Sequence, residues 1–226
     1  MSGLSNNSRI TNSLSLLNTS WYICVMENKL SKADRTRQFI IETTSGIFNV
    51  KGFAGTSMSD ITEATGLTKG SIYGNFNNKE DVAIAVFDYN YGKVSGAIIQ
   101  RINAAKTHHD KLMAYAQVYD QFTRANFFPQ GGCPILNTAV EADDTNPLLK
   151  DRAAKALQKW RRSIIDIIQA GVEAGEFKNG LDHNRIALTM IAMIEGGIMI
   201  SKVTNSQTCL DKIMHSVELL VTDMRV

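Results

Sequence analysis

The sequence predicts an all-α protein: a small N-terminal helix-turn-helix domain followed by a larger helical domain. Three observations carry this. The 226 residues include only three prolines, the residue a helix interior tolerates least. Wherever apolar residues recur, they step by three and four, the period of one helix face. The breaks between these runs fall on helix-ending or helix-capping residues such as Gly52, Gly66, Asn146 and Gly175.

Composition narrows the class. Hydrophobic residues at 44% and charged residues at 20% are those of an ordinary soluble globular protein. A net charge of +2 permits a nucleic-acid partner without arguing for one, so any basic footprint must be local. Cys24, Cys133 and Cys209 are odd in number, far apart and without zinc-type pairing, as expected of reduced thiols in a cytoplasmic protein. Met1 to Val25 is rich in Ser and Asn, a poor signal peptide and too polar for a membrane span. Residues 1–30 are read as a disordered leader. A sharper reading makes Met26, followed by Glu-Asn-Lys and a charged helix start, the true initiator.

Residues 33–51 place Ile40, Thr44, Ile47 and Phe48 at i, i+4, i+7 and i+8, a stripe one helix face wide, and Gly52 stops it. Thr56, Ser57 and Ser59 are N-cap types, so a second helix starts among them and runs to Thr65, with Asp60 in the first turn where the dipole favours an anion. Ile61 and Ala64 are assigned its inner face, and Gly66 ends it. From Thr68 to Phe76, Ile72 and Phe76 form the apolar back of a third helix. Thr68, Ser71 and Asn75 line another face, flanked by Lys69 and Tyr73, and Gly70 lets backbone approach a phosphate. Two short helices around a tight turn, the second with a hydrogen-bonding front, fit a major groove and meet base edges and phosphates. A solvated polar face is the plainer reading of the same periodicity. Asn77 or Asn78 caps the next helix with Glu80 placed for a capping box, and Lys79 stands in its first turn against the dipole. A phosphate opposite Lys79 explains that placement.

Residues 35–87, and above all the run G-L-T-K-G-S-I-Y-x-x-F-x-x-K-E, resemble the DNA-binding domain of the TetR/AcrR family of bacterial transcriptional regulators. The resemblance implies three N-terminal helices that bind DNA and a larger C-terminal domain that dimerises and holds a small ligand. It implies phosphate contacts from Thr56, Ser57 and Lys79, and DNA contacts from Thr68, Lys69, Gly70, Ser71 and Tyr73. Asn75 stands where many relatives have His, keeping hydrogen-bonding capacity without the titratable ring, and Thr44 where a small Ala is common.

Beyond residue 80 a helical plan continues. Ile84, Phe87, Tyr91, Val94 and Ile98 mark a long helix over residues 81–105. Thr107 to Asp110 reads as a turn, and the His108-His109 pair, with no ligand-spaced partner, as solvated loop rather than metal site. Leu112, Tyr115, Tyr119 and Phe122 share one side of a helix over 111–125, which Phe127, Phe128, Pro129 and Gly131-Gly132 break. The segment G-C-P-I-L-N-T-A-V-E resembles one found in a subgroup of the same family. Its Cys133 is read as a packed thiol, with pocket lining or oxidation sensing as alternatives. Asn146-Pro147 opens a helix aligning Leu149, Ala153, Leu157, Trp160, Ile164, Ile168 and Val172. Residues 186–202 are apolar nearly all round, and Gly196 and Gly197 there cost about 1 kcal/mol each in helix propensity, tolerable where helices approach closely. Leu210, Ile213, Val217, Leu220 and Met224 form a narrow packing seam. The resemblance implies that the last two helices pair with those of a second subunit, which assigns Met190, Ile194, Gly196, Gly197, Ile198, Leu210, Ile213, Val217, Leu220 and Met224 to a dimer interface.

The expected protein thus has a helix-turn-helix domain over 31–80 and a ligand-binding and dimerisation domain over 81–226. It is read as a homodimeric, ligand-responsive regulator of double-stranded DNA, a repressor released from a pseudo-palindromic operator. Its two recognition helices enter successive major grooves roughly 34–36 Å apart. Phe87, Tyr91, Tyr115, Tyr119, Phe122, Cys133 and Trp160 are the candidates for a pocket holding a small apolar or aromatic ligand. No cofactor, metal or membrane partner is expected, and no catalytic constellation suggests an enzyme. The alternative is a helical module that binds a lipid-like molecule or a partner protein without specific DNA binding.

Overall fold

The computed structural model describes residues 31–120 and 130–226. The expectations for the leader, Cys24, Met26, Phe122 and the break at Phe127, Phe128 and Pro129 lie outside the described residues. The elements are α1 (Lys32–Gly55), α2 (Met58–Thr65), α3 (Lys69–Tyr73), α4 (Lys79–Ala104), α5 (His108–Asp120), α6 (Pro134–Ala142), α7 (Pro147–Glu173), α8 (His183–Thr204) and α9 (Gln207–Asp223). Contacts divide the chain into residues 1–39 and 40–226. In the first unit, Ser31 caps α1: its Oγ accepts Asp34 N–H at 3.1 Å, and Asp34 Oδ2 accepts Ser31 N–H at 3.2 Å.

Residues 40–226 hold two apolar cores. The first gathers Ile40 and Phe48 of α1, Ile61 of α2, Ile72 of α3, Phe76, and Val82 and Val86 of α4, with Ala142 and Leu149 beside them. Helix α3 has only five residues, shorter than predicted because Gly74 caps it. So short a helix cannot persist alone, and its burial of Ile72 and Phe76 holds it in place. Thr44 is fully buried, which its Oγ1 tolerates by donating to Ile40 O at 2.7 Å. Ala64, assigned inward, is exposed; Thr65, one full turn from Ile61, takes the inner position instead. Asn78 caps α4 with Asp81, not Glu80, three residues on.

The second core collects the remainder of α4 with α5 to α9, around Tyr115, Tyr119, Trp160, Ile164, Ile168, Met190, Ile194 and Leu210. Helix α6 stands where the sequence reading assigns no element, and Pro134 begins it at a position where its missing N–H costs nothing. The predicted turn at His108-His109 is the first turn of α5. Glu176 Oε2 accepts His108 N–H at 2.7 Å, and Oε1 bonds His108 Nδ1 at 2.8 Å, an anion at a helix N-terminus. After α7 the chain doubles back over Gly171, where a Cβ would lie 2.2 Å from Phe177 Cδ2. A single bridge then joins Phe177 to Arg225.

Part of the expected dimer seam is spent inside the subunit, while Gly196, Ile213 and Leu220 stay half-buried. Met190, Ile194, Ile198, Leu210, Val217 and Met224 are all buried within the subunit. A stripe stepping three and four serves an intramolecular seam as well as an intermolecular one, and here α8 and α9 spend it on each other and on the core. Gly197 allows that approach, since a Cβ there would stand 3.1 Å from Ile213 Cγ2. Gly196 faces open space. The outward stripe of α8 is Ala192, Gly196, Met199 and Val203, beside half-buried Ile213 and Leu220 of α9. Among the described residues α8 has the length and apolarity to cross a membrane, but half of its most apolar stretch is buried in the subunit.

Candidate nucleic-acid interface

The surface of α2 and α3 separates the predicted contacts into two groups. Ser57, Thr68, Lys69, Gly70 and Tyr73 are exposed and Ser71 is half-buried, and together they form one polar face. Thr68 caps α3, its Oγ1 accepting Ser71 N–H at 3.2 Å, so its own hydroxyl proton remains for an outside acceptor. Ser57 forms a capping box with Asp60, and hydrogen bonds from Lys51 and then Ser57 hold the Asp60 carboxyl well below its ordinary range. At Gly70 a Cβ would meet nothing nearer than Thr68 Oγ1 at 3.9 Å. Nothing inside the subunit demands a glycine there; only the outer side gains from its small size.

Thr56 is buried behind that face, whereas Asn75 and Lys79, half-buried like Ser71, spend side-chain nitrogens on backbone carbonyls. Thr56 is fully buried and donates Oγ1–H to Gly52 O at 2.6 Å. Asn75 Nδ2 donates to Ser71 O at 2.8 Å, closing the end of α3. Lys79 Nζ donates to Phe53 O at 2.7 Å and Thr56 O at 2.8 Å, and lies 4.2 Å from the Phe53 ring centroid. The cause is the break in α1. Gly52, at φ 72 and ψ 179, is not helical, so the backbone groups after it lose their helical partners. Lys79 supplies donors to two of the carbonyls, which also answers its placement against the α4 dipole. Glu141 supplies acceptors: Oε2 to Phe53 N–H at 2.9 Å and Oε1 to Ala54 N–H at 2.8 Å.

Glu141 is a residue the sequence reading missed, as are Asn49, Asn90 and Asn137, which together with the capping Asn146 tie the same helices to the larger domain. Asn49 Nδ2 donates to Gly132 O at 2.9 Å, Asn137 Nδ2 to Asn49 O at 3.0 Å, Asn90 Nδ2 to Ser45 O at 3.0 Å and Asn146 Nδ2 to Glu80 Oε1 at 2.8 Å. The signal was available in part: Asn49 and Asn90 fall on otherwise apolar helix stripes, and a buried amide must find partners.

In the larger domain, α4, α5 and α7 surround a cavity of about 300 Å³. Tyr91, Tyr115, Tyr119 and Trp160 line it as expected. Trp160 is the shared wall, stacked with Tyr119 at 5.4 Å and with Tyr115 at 6.1 Å between centroids. Tyr115 donates its hydroxyl to Ser163 Oγ at 2.8 Å, and burial pushes its pKa up to about 12. Two candidates sit elsewhere. Phe87 stacks on Tyr91 and borders other surfaces. Cys133 lies behind Tyr119, its Sγ donating to Glu195 Oε1 at 2.9 Å. Burial first, then the Glu195 carboxyl, hold that thiol well above its ordinary range.

A helix-turn-helix with a polar outer face, joined to a larger helical domain with an aromatic cavity, is the architecture of a DNA-binding regulator of transcription. Residues 40–86 match the family model of bacterial regulatory proteins of the tetR family, and residues 109–217 that of the tetracyclin repressor-like C-terminal domain. A TetR-family transcriptional regulator from Cytophaga hutchinsonii is 47% identical, with TM-score 0.82 over 88% of this chain and 98% of its own. One from Chloroflexus aurantiacus is 36% identical, with TM-score 0.82 over 87% of this chain and 98% of its own. The HTH-type transcriptional repressor DhaR of Mycobacterium sp. (strain GP1) is 23% identical over 180 residues, 79% of this chain and 88% of that protein. The chain belongs to the TetR family of transcriptional regulators. It is a DNA-binding regulator and not an enzyme, and a helical module without specific DNA binding is not favoured.

Proposed function

We propose that this protein is a cytoplasmic, homodimeric repressor that occupies a pseudo-palindromic operator and leaves it when a small molecule enters the α4–α5–α7 cavity. The reading divides the work between residues 31–80, which bind DNA, and residues 81–226, which dimerise and bind ligand. The observation that carries it is the outer face of Ser57, Thr68, Lys69, Gly70, Ser71 and Tyr73, backed by a hydrogen-bonded support in which Thr56, Asn75, Lys79 and Glu141 take part. Exposed donors read the groove, and the groups behind fix their spacing. Induction follows if the ligand binds better to a state whose helix spacing no longer fits the operator.

Genomic fragments captured by the protein supply the operator, and fluorescence anisotropy across a salt series tests the contacts. Lys69→Ala is expected to weaken binding to all sequences and to lower the slope of log affinity against log salt by about one per subunit. An unchanged slope removes Lys69 from the phosphate contacts. Met199, 51% exposed on the outward stripe of α8, is assigned to the subunit interface. Met199→Glu is expected to shift the protein from dimer to monomer in sedimentation while leaving its helical content intact. A dimer of undiminished affinity places the interface on another surface.

A further inference from the structure

Resting on the reading that the cavity between α4, α5 and α7 holds the inducer, we propose that the inducer is an amphipathic anion. Its apolar body lies among Tyr91, Tyr115, Tyr119 and Trp160, and its carboxylate, or a chemically similar acidic group, turns toward Lys159. Among the described residues the cavity wall has one cation, Lys159, and no acidic side chain. Two of its polar groups have a proton to give. Ser163 Oγ accepts the Tyr115 hydroxyl and keeps its own proton. Trp160 is 5% exposed, and its Nε1 is buried with no hydrogen-bond partner among the described residues. A buried N–H without an acceptor is costly, and an oxygen on a ligand relieves that cost.

The surroundings of Lys159 point the same way. Lys159, Ser163, Tyr91 and Ile102 line both this cavity and an open groove of about 1050 Å³ over α7. Among the described residues the groove adds Lys111, Arg152, Lys155, Arg161 and Arg162 against two acids, Asp88 and Asp166. Arg152 lies 3.5 Å from Asp88, Lys155 is paired with Asp151 and Arg161 donates to Asn184. Among the described residues Lys159 and Arg162 meet no carboxylate within ion-pair distance. A positively charged vestibule therefore adjoins an aromatic cavity with two donors, Ser163 and Trp160, in its wall. A neutral apolar molecule fills that cavity but leaves Trp160 unpaired and the vestibule unused, and a cationic one is repelled by it.

Isothermal titration calorimetry of the full-length protein with three probes of one shape, naphthoate, naphthylmethanol and naphthylmethylammonium, tests this. Naphthoate is expected to bind at least tenfold more tightly than the alcohol, with the ammonium weakest. Lys159→Gln, at an exposed position, is expected to remove most of that preference by weakening the acid far more than the alcohol, and Trp160→Phe to weaken the acid more than the alcohol. An alcohol that binds as well as the acid overturns the anionic assignment and leaves the cavity reading standing. A preference for the acid that survives Lys159→Gln overturns the assignment to this mouth. Failure of all three probes to bind overturns both the inference and the cavity reading on which it rests.

Discussion

Glu141→Ala is expected to weaken operator binding at least tenfold and to destabilise the protein by about 3 kcal/mol, the worth of two backbone hydrogen bonds to a charged acceptor. In a chain of this size that is a fall of roughly 6–12 °C in unfolding temperature. The carboxylate reaches back from α6 to Phe53 N–H and Ala54 N–H, which the non-helical Gly52 leaves without helical partners. The next residues are Thr56, whose carbonyl receives Lys79, and Ser57, which caps α2. Removing the acceptor therefore loosens the segment that aims α2 and α3, although Glu141 is not on the face presented to DNA. Glu141→Gln, which keeps one acceptor oxygen, is expected to lie between wild type and Glu141→Ala in both readouts. Differential scanning calorimetry and anisotropy on the same preparations make the comparison, and a variant with unaltered operator affinity removes Glu141 from the positioning role.

Glu195→Gln is expected to stabilise the protein above pH 7 and to do little in acid. Burial raises the Glu195 pKa from 4.5 to about 7 despite the hydrogen bond from Cys133, and Oε2 has no partner among the described residues. The folded state thus holds the proton more tightly than the unfolded chain does. That contribution is complete below about pH 4.5 and is lost as pH rises through about 7, where the carboxylate must be buried charged. The difference of about 2.5 pH units corresponds to about 3 kcal/mol. Gln is close in shape, still accepts the Cys133 thiol, and carries no charge at any pH. Urea unfolding at about pH 5 and about pH 8, at one protein concentration, should show the variant gaining most of that difference only at the higher pH. Parallel pH profiles for the two proteins would rule out Glu195 as the titrating group.

Much of this molecule was legible before its structure, and the legible part is local. The stripe of Ile40, Thr44 and Phe48, the Ser57 cap with Asp60, the αL Gly66 and the Asn146-Pro147 start are each written within a few residues of chain. The exposed group of Thr68, Lys69, Gly70 and Tyr73 was readable for the same reason, because an apolar back on so short a helix leaves one front, whereas Ser57 entered through the family resemblance. What periodicity does not show is a charged or polar side chain's partner far along the sequence. The bond from Lys79 to Phe53 O, 26 residues away, is of that kind. Helix α6 was missed because its importance rests on Asn137 and Glu141, which bond to backbone 88 residues earlier.

The last two helices draw the same division at larger scale. Steps of three and four along Leu210, Ile213, Val217, Leu220 and Met224 specify a helix with one apolar seam, since side chains on one face of a helix recur at that spacing whatever surrounds them. Whether another helix of the same chain or a second subunit covers the seam is a matter of packing. Here α8 and the core take it, with Gly197 closing the approach, and Met199 and Val203 are turned outward. Periodicity records which face avoids water and leaves open what excludes the water, because the hydrophobic effect is non-directional and the covering surface comes from distant parts of the chain.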